Sequence, residues 1–323
     1  MMSTRCIRKL LAGITGAAAL SLTGAAPAQD FPSKAIRLIV ANSPGTTLDA
    51  VARFLAPELS QALNQTVIVE NKPGATFIIG YEFVAKSPPD GYTIGVVIMQ
   101  DLGILPLISK ELRFDPIKEL PAFISLGEGR LVLATSAKNP WKTYEEMMAF
   151  AKANPGKLNF GSSGAQVRLP MESLVSRLGL NVVHVPYPGG NPMFLALAAN
   201  DVQMGFVGEG TLVTLGDKVR ALGVTGDQRL TSLPGVPTFQ QLGQPQIRGL
   251  TMSLNLPAGV PKAVVDKLYQ TTAAIMQRPD IRERFAKVRY EVNVLNADGA
   301  ARKLAEEAKL FSEIAAAAGI KPQ

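Results

Sequence analysis

Apolar residues come in short bursts along this chain, separated by turn residues. Ile36 to Val40 is an apolar run that ends at Asn42-Ser43-Pro44-Gly45. Leu48, Val51, Phe54, Leu55 and Leu59 then recur at three- and four-residue spacing, which predicts an amphipathic helix. Thr66 to Glu70 is rich in β-branched residues and predicts a strand, broken by Asn71-Lys72-Pro73-Gly74. Ile78 to Ala85 predicts a helix, Pro88-Pro89-Asp90-Gly91 a turn and Tyr92 to Ile98 a third strand. Strand, helix, strand, helix, strand predicts an α/β unit with a parallel sheet covered on both faces.

The pattern then restarts. Leu131 to Thr135 predicts a strand, and Trp141 to Ala153 a helix that stops at Asn154-Pro155-Gly156. Leu158 to Phe160 predicts a strand and Leu169 to Leu178 a helix, with Gly161-Ser162-Ser163-Gly164 between them. Val182 to Val185, Val202 to Val207 and Ala221 to Val224 predict further strands, so a second α/β lobe is expected. Arg248 to Leu256 resembles one more strand, and Pro261 to Gln277 and Ala300 to Ala318 predict helices returning to the first lobe. The chain would then cross between lobes twice, near Gly127 and near Arg248. The expected division is 29–127 with 249–323 in one lobe and 128–248 in the other. Two such crossover strands make a natural hinge.

The N-terminus bears on the compartment. Arg5, Arg8 and Lys9 precede an apolar stretch from Leu10 to Leu22, and Ala26-Pro27-Ala28 fits a small-residue cleavage site. This is the pattern of a signal peptide over 1–28. The apolar stretch falls short of the roughly 20 residues that a bilayer span needs. Cleavage near Gln29 removes the only cysteine, Cys6, and three cations, taking the formal charge from +7 to +4. That balance is mild and evenly scattered, which argues against nucleic acid as a partner. About 295 residues remain, enough for two lobes.

Ligands of open α/β sheets sit beyond the carboxyl ends of the strands. The loops 41–47, 71–77, 161–166 and 186–191 occupy such ends, and all contain glycine. Exposed backbone N–H groups at helix starts favour an anion there. Catalytic chemistry is poorly served. The single histidine, His184, lies inside a strand-like run and reads as structural. Ser162 or Ser163 with His184 and Asp201 is the triad that can be drawn, but Gly161-Ser162-Ser163-Gly164 lacks the spacing of a nucleophile elbow. With one histidine, no cysteine after cleavage and no dense carboxylate cluster, neither a metal nor a cofactor is expected. Gly205-Phe206-Val207-Gly208-Glu209-Gly210 lacks the spacing of a dinucleotide turn.

Several segments together resemble Bug-type periplasmic binding proteins, the receptors of tripartite tricarboxylate transporters. They include Phe31-Pro32-Ser33-Lys34, Val69-Glu70-Asn71-Lys72-Pro73-Gly74-Ala75, Ser87-Pro88-Pro89-Asp90-Gly91-Tyr92-Thr93 and Asn154-Pro155-Gly156-Lys157-Leu158. His184-Val185-Pro186-Tyr187, Leu233-Pro234-Gly235-Val236-Pro237-Thr238 and Leu256-Pro257-Ala258-Gly259 continue in family order over nearly the whole chain. The resemblance implies a type II-like, two-lobe periplasmic-binding-protein (Venus-flytrap) fold and no enzymatic activity. It also implies a small carboxylate ligand, pinched between facing loops, and membrane transporter subunits as partners of a monomeric receptor. A sensor subunit with a signalling partner, or a secreted hydrolase, are the alternative readings.

The resemblance places the ligand against Ser43, Gly45, Thr46, Thr47 and Asp49 in the first loop, Phe77 in the second, and Ser162, Ser163, Arg168 and Gly208 in the second lobe. The chain departs from the family here. Thr46 stands where the family pattern has its second glycine, so a left-handed backbone there would cost about 1–2 kcal/mol, or the hydroxyl would serve the ligand. Thr76 and Phe77 replace two further glycines, and Phe77 suggests an apolar ligand body. Arg168 occupies a histidine position and is expected to hold a carboxylate directly. Val207 takes the place of an aspartate.

Overall fold

The computed structural model describes residues 31–74, 77–245, 247–317 and 319–322, and Lys34–Gln323 forms one compact unit. The segment ahead of that unit is described only at Phe31–Ser33, so the signal peptide read over 1–28 lies outside the described residues, as does Thr76.

The unit opens with β1 (Ile36–Val40), α1 (Thr47–Leu63), β2 (Val67–Asn71), α2 (Ile78–Ala85) and β3 (Thr93–Ile98). These match the elements read from periodicity to within a few residues at their ends. Helix α1 buries Leu48, Val51, Leu55 and Leu59 on one face, and Asn64 ends it in left-handed backbone, a conformation asparagine tolerates. Three elements that the apolar pattern did not announce follow: α3 (Met99–Ile108), α4 (Pro116–Glu119) and β4 (Ala122–Gly129). Helix α3 is buried on every side from Met99 to Leu105, so no polar face marks its period.

The second lobe contains β5 (Leu131–Ser136), α5 (Tyr144–Ala153), β6 (Leu158–Ser162), α6 (Ala165–Arg177), β7 (Val182–Pro186), α7 (Gly190–Ala199), β8 (Met204–Gly208), α8 (Glu209–Leu215) and β9 (Val219–Val224). The chain then returns through β10 (Leu250–Asn255), α9 (Lys262–Gln277), α10 (Pro279–Lys287), β11 (Tyr290–Asn296) and α11 (Ala297–Ala317).

The strands form two sheets, in the order β11-β4-β10-β3-β1-β2 and β7-β6-β8-β5-β9. The parallel sheet expected from the first elements is realised only in part. Strands β2, β1 and β3 are parallel, but β10 runs antiparallel to both β3 and β4, and β11 antiparallel to β4. In the second sheet β7, β6 and β8 are parallel, and β5 is antiparallel to β8 and β9. The reason is topological. Strand β5 leaves the boundary between the lobes and β10 enters the first lobe from it, so each runs against neighbours that end there. The carboxyl ends of β1, β3, β6, β7 and β8, with the helix starts that follow them, therefore collect at one seam.

The two crossings lie side by side. Only Arg130 separates β4 from β5, and its Nη1 donates to the Thr225 carbonyl at 2.8 Å. The Leu131 N–H donates to Thr225 Oγ1 at 2.9 Å. A Cβ on Gly249, just before β10, would stand 2.5 Å from the Gly129 carbonyl oxygen. Backbone rather than a flexible side chain blocks that space. Gly249→Ala is therefore expected to cost about 1–3 kcal/mol through overpacking and to lower the urea midpoint; an unchanged midpoint would contradict this packing.

Candidate functional site

The seam is built first from the loop after β1. Asn42 Oδ1 accepts from the Ser43 N–H at 2.8 Å and from the Gly190 N–H of the second lobe at 3.4 Å. Gly45 carries the left-handed turn, with φ +80°, and donates its N–H to Asp49 Oδ2 at 2.9 Å. Thr46 is extended, at φ −80° and ψ 166°, as the residue that precedes α1. The strain expected at Thr46 is thus absent, because the turn places its positive φ one residue earlier, on a glycine. The Thr46 hydroxyl donates to the Ser43 carbonyl at 2.9 Å, so it braces its own loop rather than being offered to a ligand.

Asp49 is part of the same brace. Burial pushes its carboxyl up, but bonds from Arg53, the Gly45 N–H and Asn71 outweigh burial and hold its pKa below the ordinary aspartate value. Asn71 Nδ2 bridges Asp49 Oδ1 at 2.9 Å and the Asn42 carbonyl at 3.0 Å. Across the seam, Asn191 Nδ2 donates to the Pro44 carbonyl at 2.8 Å. A Cβ on Gly189 would meet Ser43 Oγ at 2.2 Å, so any larger residue at the start of α7 would force the Ser43 side chain to move. Thr47 opens α1, and its Oγ1 lies 3.8 Å from the place of a Cβ on Gly210, two residues past Gly208.

A second set of seam contacts surrounds Asp101, a residue the sequence reading did not single out. Asp101 is fully buried in the first turn of α3. Tyr81 donates its hydroxyl to Oδ2 at 2.8 Å, and the Gln166 N–H, in the first turn of α6, donates to Oδ1 at 2.9 Å. Burial drives the Asp101 pKa from the usual 3.8 up to about 7, against the pull of both hydrogen bonds. The one local signal for it was an acid inside the apolar run Ile94 to Ile108. Phe77 packs in the same region at 1% exposure, with its ring edge-on to Tyr81, and it adopts left-handed backbone at φ +74°. A Cβ on Gly164 would lie 2.7 Å from the Phe77 ring, so this side chain fills the seam from the first lobe.

The second-lobe residues read from sequence divide. Ser162 ends β6 and Ser163 follows it at the seam, and both are buried. Ser162 Oγ lies 2.7 Å from His184 Nε2, and the imidazole stacks on Phe160. Burial, then the nearby charge of Arg168, lowers the His184 pKa to about 4, so the ring is neutral near pH 7. Asp201 meets the chain through its backbone N–H to the Ala196 carbonyl, and no carboxylate orients the second ring nitrogen among the described hydrogen bonds. The triad drawn from sequence is therefore not assembled. Arg168 Nε donates to Glu172 Oε1 at 2.7 Å, one helical turn along α6, so its charge is already partnered. Val207 is buried in the core of the second lobe, and Gly208 precedes α8. Two open cavities of about 370 and 390 Å³ are present: one beside His184, lined by α6 and by Gly319, Ile320 and Lys321 of the returning chain, and one beside α8.

Two mixed α/β sheets joined by paired crossings, with helix starts gathered between them, define a two-lobe solute-binding protein of the periplasmic type. The chain belongs to the family described as Tripartite tricarboxylate transporter family receptor, whose model matches residues 51–320. It is 35% identical to the UPF0065 protein in the gbd 5' region of Cupriavidus necator, over 92% of this chain and 93% of that one. Among solved structures, the periplasmic binding protein BugD matches at TM-score 0.83 and 27% identity, covering 91% of this chain and 100% of its own. An R. palustris protein solved with adipate matches at TM-score 0.85 and 25% identity, with the same coverage. The family is one of transporter receptors and BugD is a periplasmic binding protein, so this chain falls among binding proteins rather than enzymes.

The buried acid and the buried imidazole push stability in opposite directions with pH. Asp101 binds its proton more tightly in the folded state, so its contribution is present below about pH 4 and is lost as pH rises through about 7. His184 contributes above about pH 6.5, and that contribution is lost as pH falls through about 4. Asp101→Asn can keep the acceptor for Gln166 while removing the titration. Urea unfolding should show the variant gaining on the wild type between pH 4 and 7; a difference independent of pH would contradict the placement of Asp101.

Proposed function

We propose that this chain is a periplasmic receptor that closes its two lobes on a small carboxylate at the seam and presents it to the membrane subunits of a tripartite transporter. One observation carries the proposal. Helices α1 and α7, one from each lobe, begin at the seam behind Thr46 and Gly189. The loop residues leading into them, 43–46 and 189–190, bear no charged side chain. Such an arrangement suits an anion held by backbone N–H groups and helix dipoles, without a salt bridge.

The relative solved with adipate supports a carboxylate as the ligand class. Export rests on the basic, apolar and small-residue order of the first 28 residues, together with the periplasmic BugD relative. On this reading 29–127 with 249–323 move against 128–248 about the paired crossings, and the receptor acts as a monomer. Ser43, Gly45, Thr47, Ser163, Gly189 and Gly190 are the residues proposed to line the ligand. Thr46 and Asp49 hold the first loop in shape, and Phe77 closes the apolar end.

A thermal-shift screen of carboxylates against the mature chain tests the proposal. A ligand at 100 times its Kd should add about 2.7 kcal/mol of stability. Stabilisation by neutral sugars and by no carboxylate would overturn it.

A further inference from the structure

One polar side chain at the seam is left without a partner. Gln166 is the second residue of α6 and is only 6% exposed, and its Oε1 is buried with no hydrogen-bond partner among the described residues. Its backbone N–H is already taken by Asp101. The amide is folded back against the start of its own helix: a Cβ on Gly164 would lie 2.2 Å from Gln166 Oε1, 2.7 Å from Nε2 and 2.7 Å from the Phe77 ring. The group therefore sits between a second-lobe helix start and a first-lobe aromatic ring, where the lobes meet. A buried amide oxygen left unpaired is unfavourable, and a molecule entering the seam can relieve that.

The chemistry of this corner differs from that of the Ser43 loop. Besides the Gln166 oxygen it holds the Asp101 carboxylate, also an acceptor, whose two bonded partners are the neutral Tyr81 hydroxyl and the Gln166 N–H. The nearest cation along α6, Arg168, is paired with Glu172. Above about pH 7, where Asp101 is ionised, the corner thus favours a donor and repels a second negative charge.

We propose that Gln166 sets ligand selectivity. It accepts a hydrogen bond from a hydroxyl or amino group on a monocarboxylate whose carboxylate lies at the α1 and α7 helix starts, and Asp101 beside it disfavours dicarboxylates. This rests on the reading of the seam as a carboxylate site and narrows that reading to hydroxy- or amino-monocarboxylates. It also separates this chain from the relative solved with adipate, a dicarboxylate without a hydroxyl.

Calorimetry on the mature chain near pH 8 tests it with four matched probes: butyrate, 3-hydroxybutyrate, 3-aminobutyrate and glutarate. The hydroxy or amino compound should bind at least about tenfold more tightly than butyrate and glutarate, because a site built to pair with a donor rejects the analogue that lacks one. Gln166→Met should bring the substituted compounds to within about threefold of butyrate. A purely structural role for Gln166 would weaken all four together, and that result overturns the proposal. So does a wild-type preference for glutarate, which needs no variant to observe. If carboxylates bind without discrimination, the role of Gln166 falls and the carboxylate site stands. If none of these probes binds and the wider carboxylate screen is also empty, both fall.

Discussion

The carboxylate of Asp101, buried between the Tyr81 hydroxyl and the Gln166 N–H, fixes how the two lobes meet. It joins α2, α3 and α6, three helices that begin at the same seam. Burying an ionised carboxylate without a cation is costly, and this group responds by holding its proton up to about pH 7. The apolar neighbourhood that imposes this cost is a shared core: Phe77, Tyr81, Leu102 and Leu105 of the first lobe pack with Ala165 and Leu169 of α6. Asp101 thus satisfies one of the free N–H groups at the start of α6, a service that a bound anion performs elsewhere.

The other half of the seam follows a different rule. There the lobes touch through backbone and short polar side chains, Ser43 against Gly189 and Asn191 against Pro44. Glycine at 189 permits the approach, and the Asp49, Asn71 and Arg53 network holds the opposing loop rigid. The two halves together give an apolar, acid-bearing end and a backbone-donor end. This polarity is what an asymmetric ligand would read.

Much of this architecture was legible in the chain itself. The spacing of Leu48, Val51, Leu55 and Leu59 and the β-branched runs around it fixed α1 and its flanking strands, because one face of each is buried. Helix α3 escaped notice because Met99 to Leu105 are buried all round, which erases periodicity. Strand β11 alternates as Tyr290-Glu291-Val292-Asn293-Val294, a period-two pattern legible in the chain. At the site, the glycine loops were visible as composition, but the conformation at each position was not. A positive φ at Thr46 would have been strained; the structure instead places one at Phe77, at φ +74°. A left-handed conformation costs about 1–2 kcal/mol there, which burial of the ring, worth about 1.5–3 kcal/mol, offsets. Asp101 was missed because its importance comes from packing against a helix some 65 positions away in the chain, which no local pattern records.

The claim on which this account turns is that Asp101 ties α6 to the first lobe in the protein itself. Hydrogen exchange at the Gln166 amide reports on that bond directly. Strong protection is expected in the wild type, comparable to the amides of β3, together with a marked loss of protection in Asp101→Ala. Exchange of the Gln166 amide at the rate of an exposed loop in the wild type would contradict it.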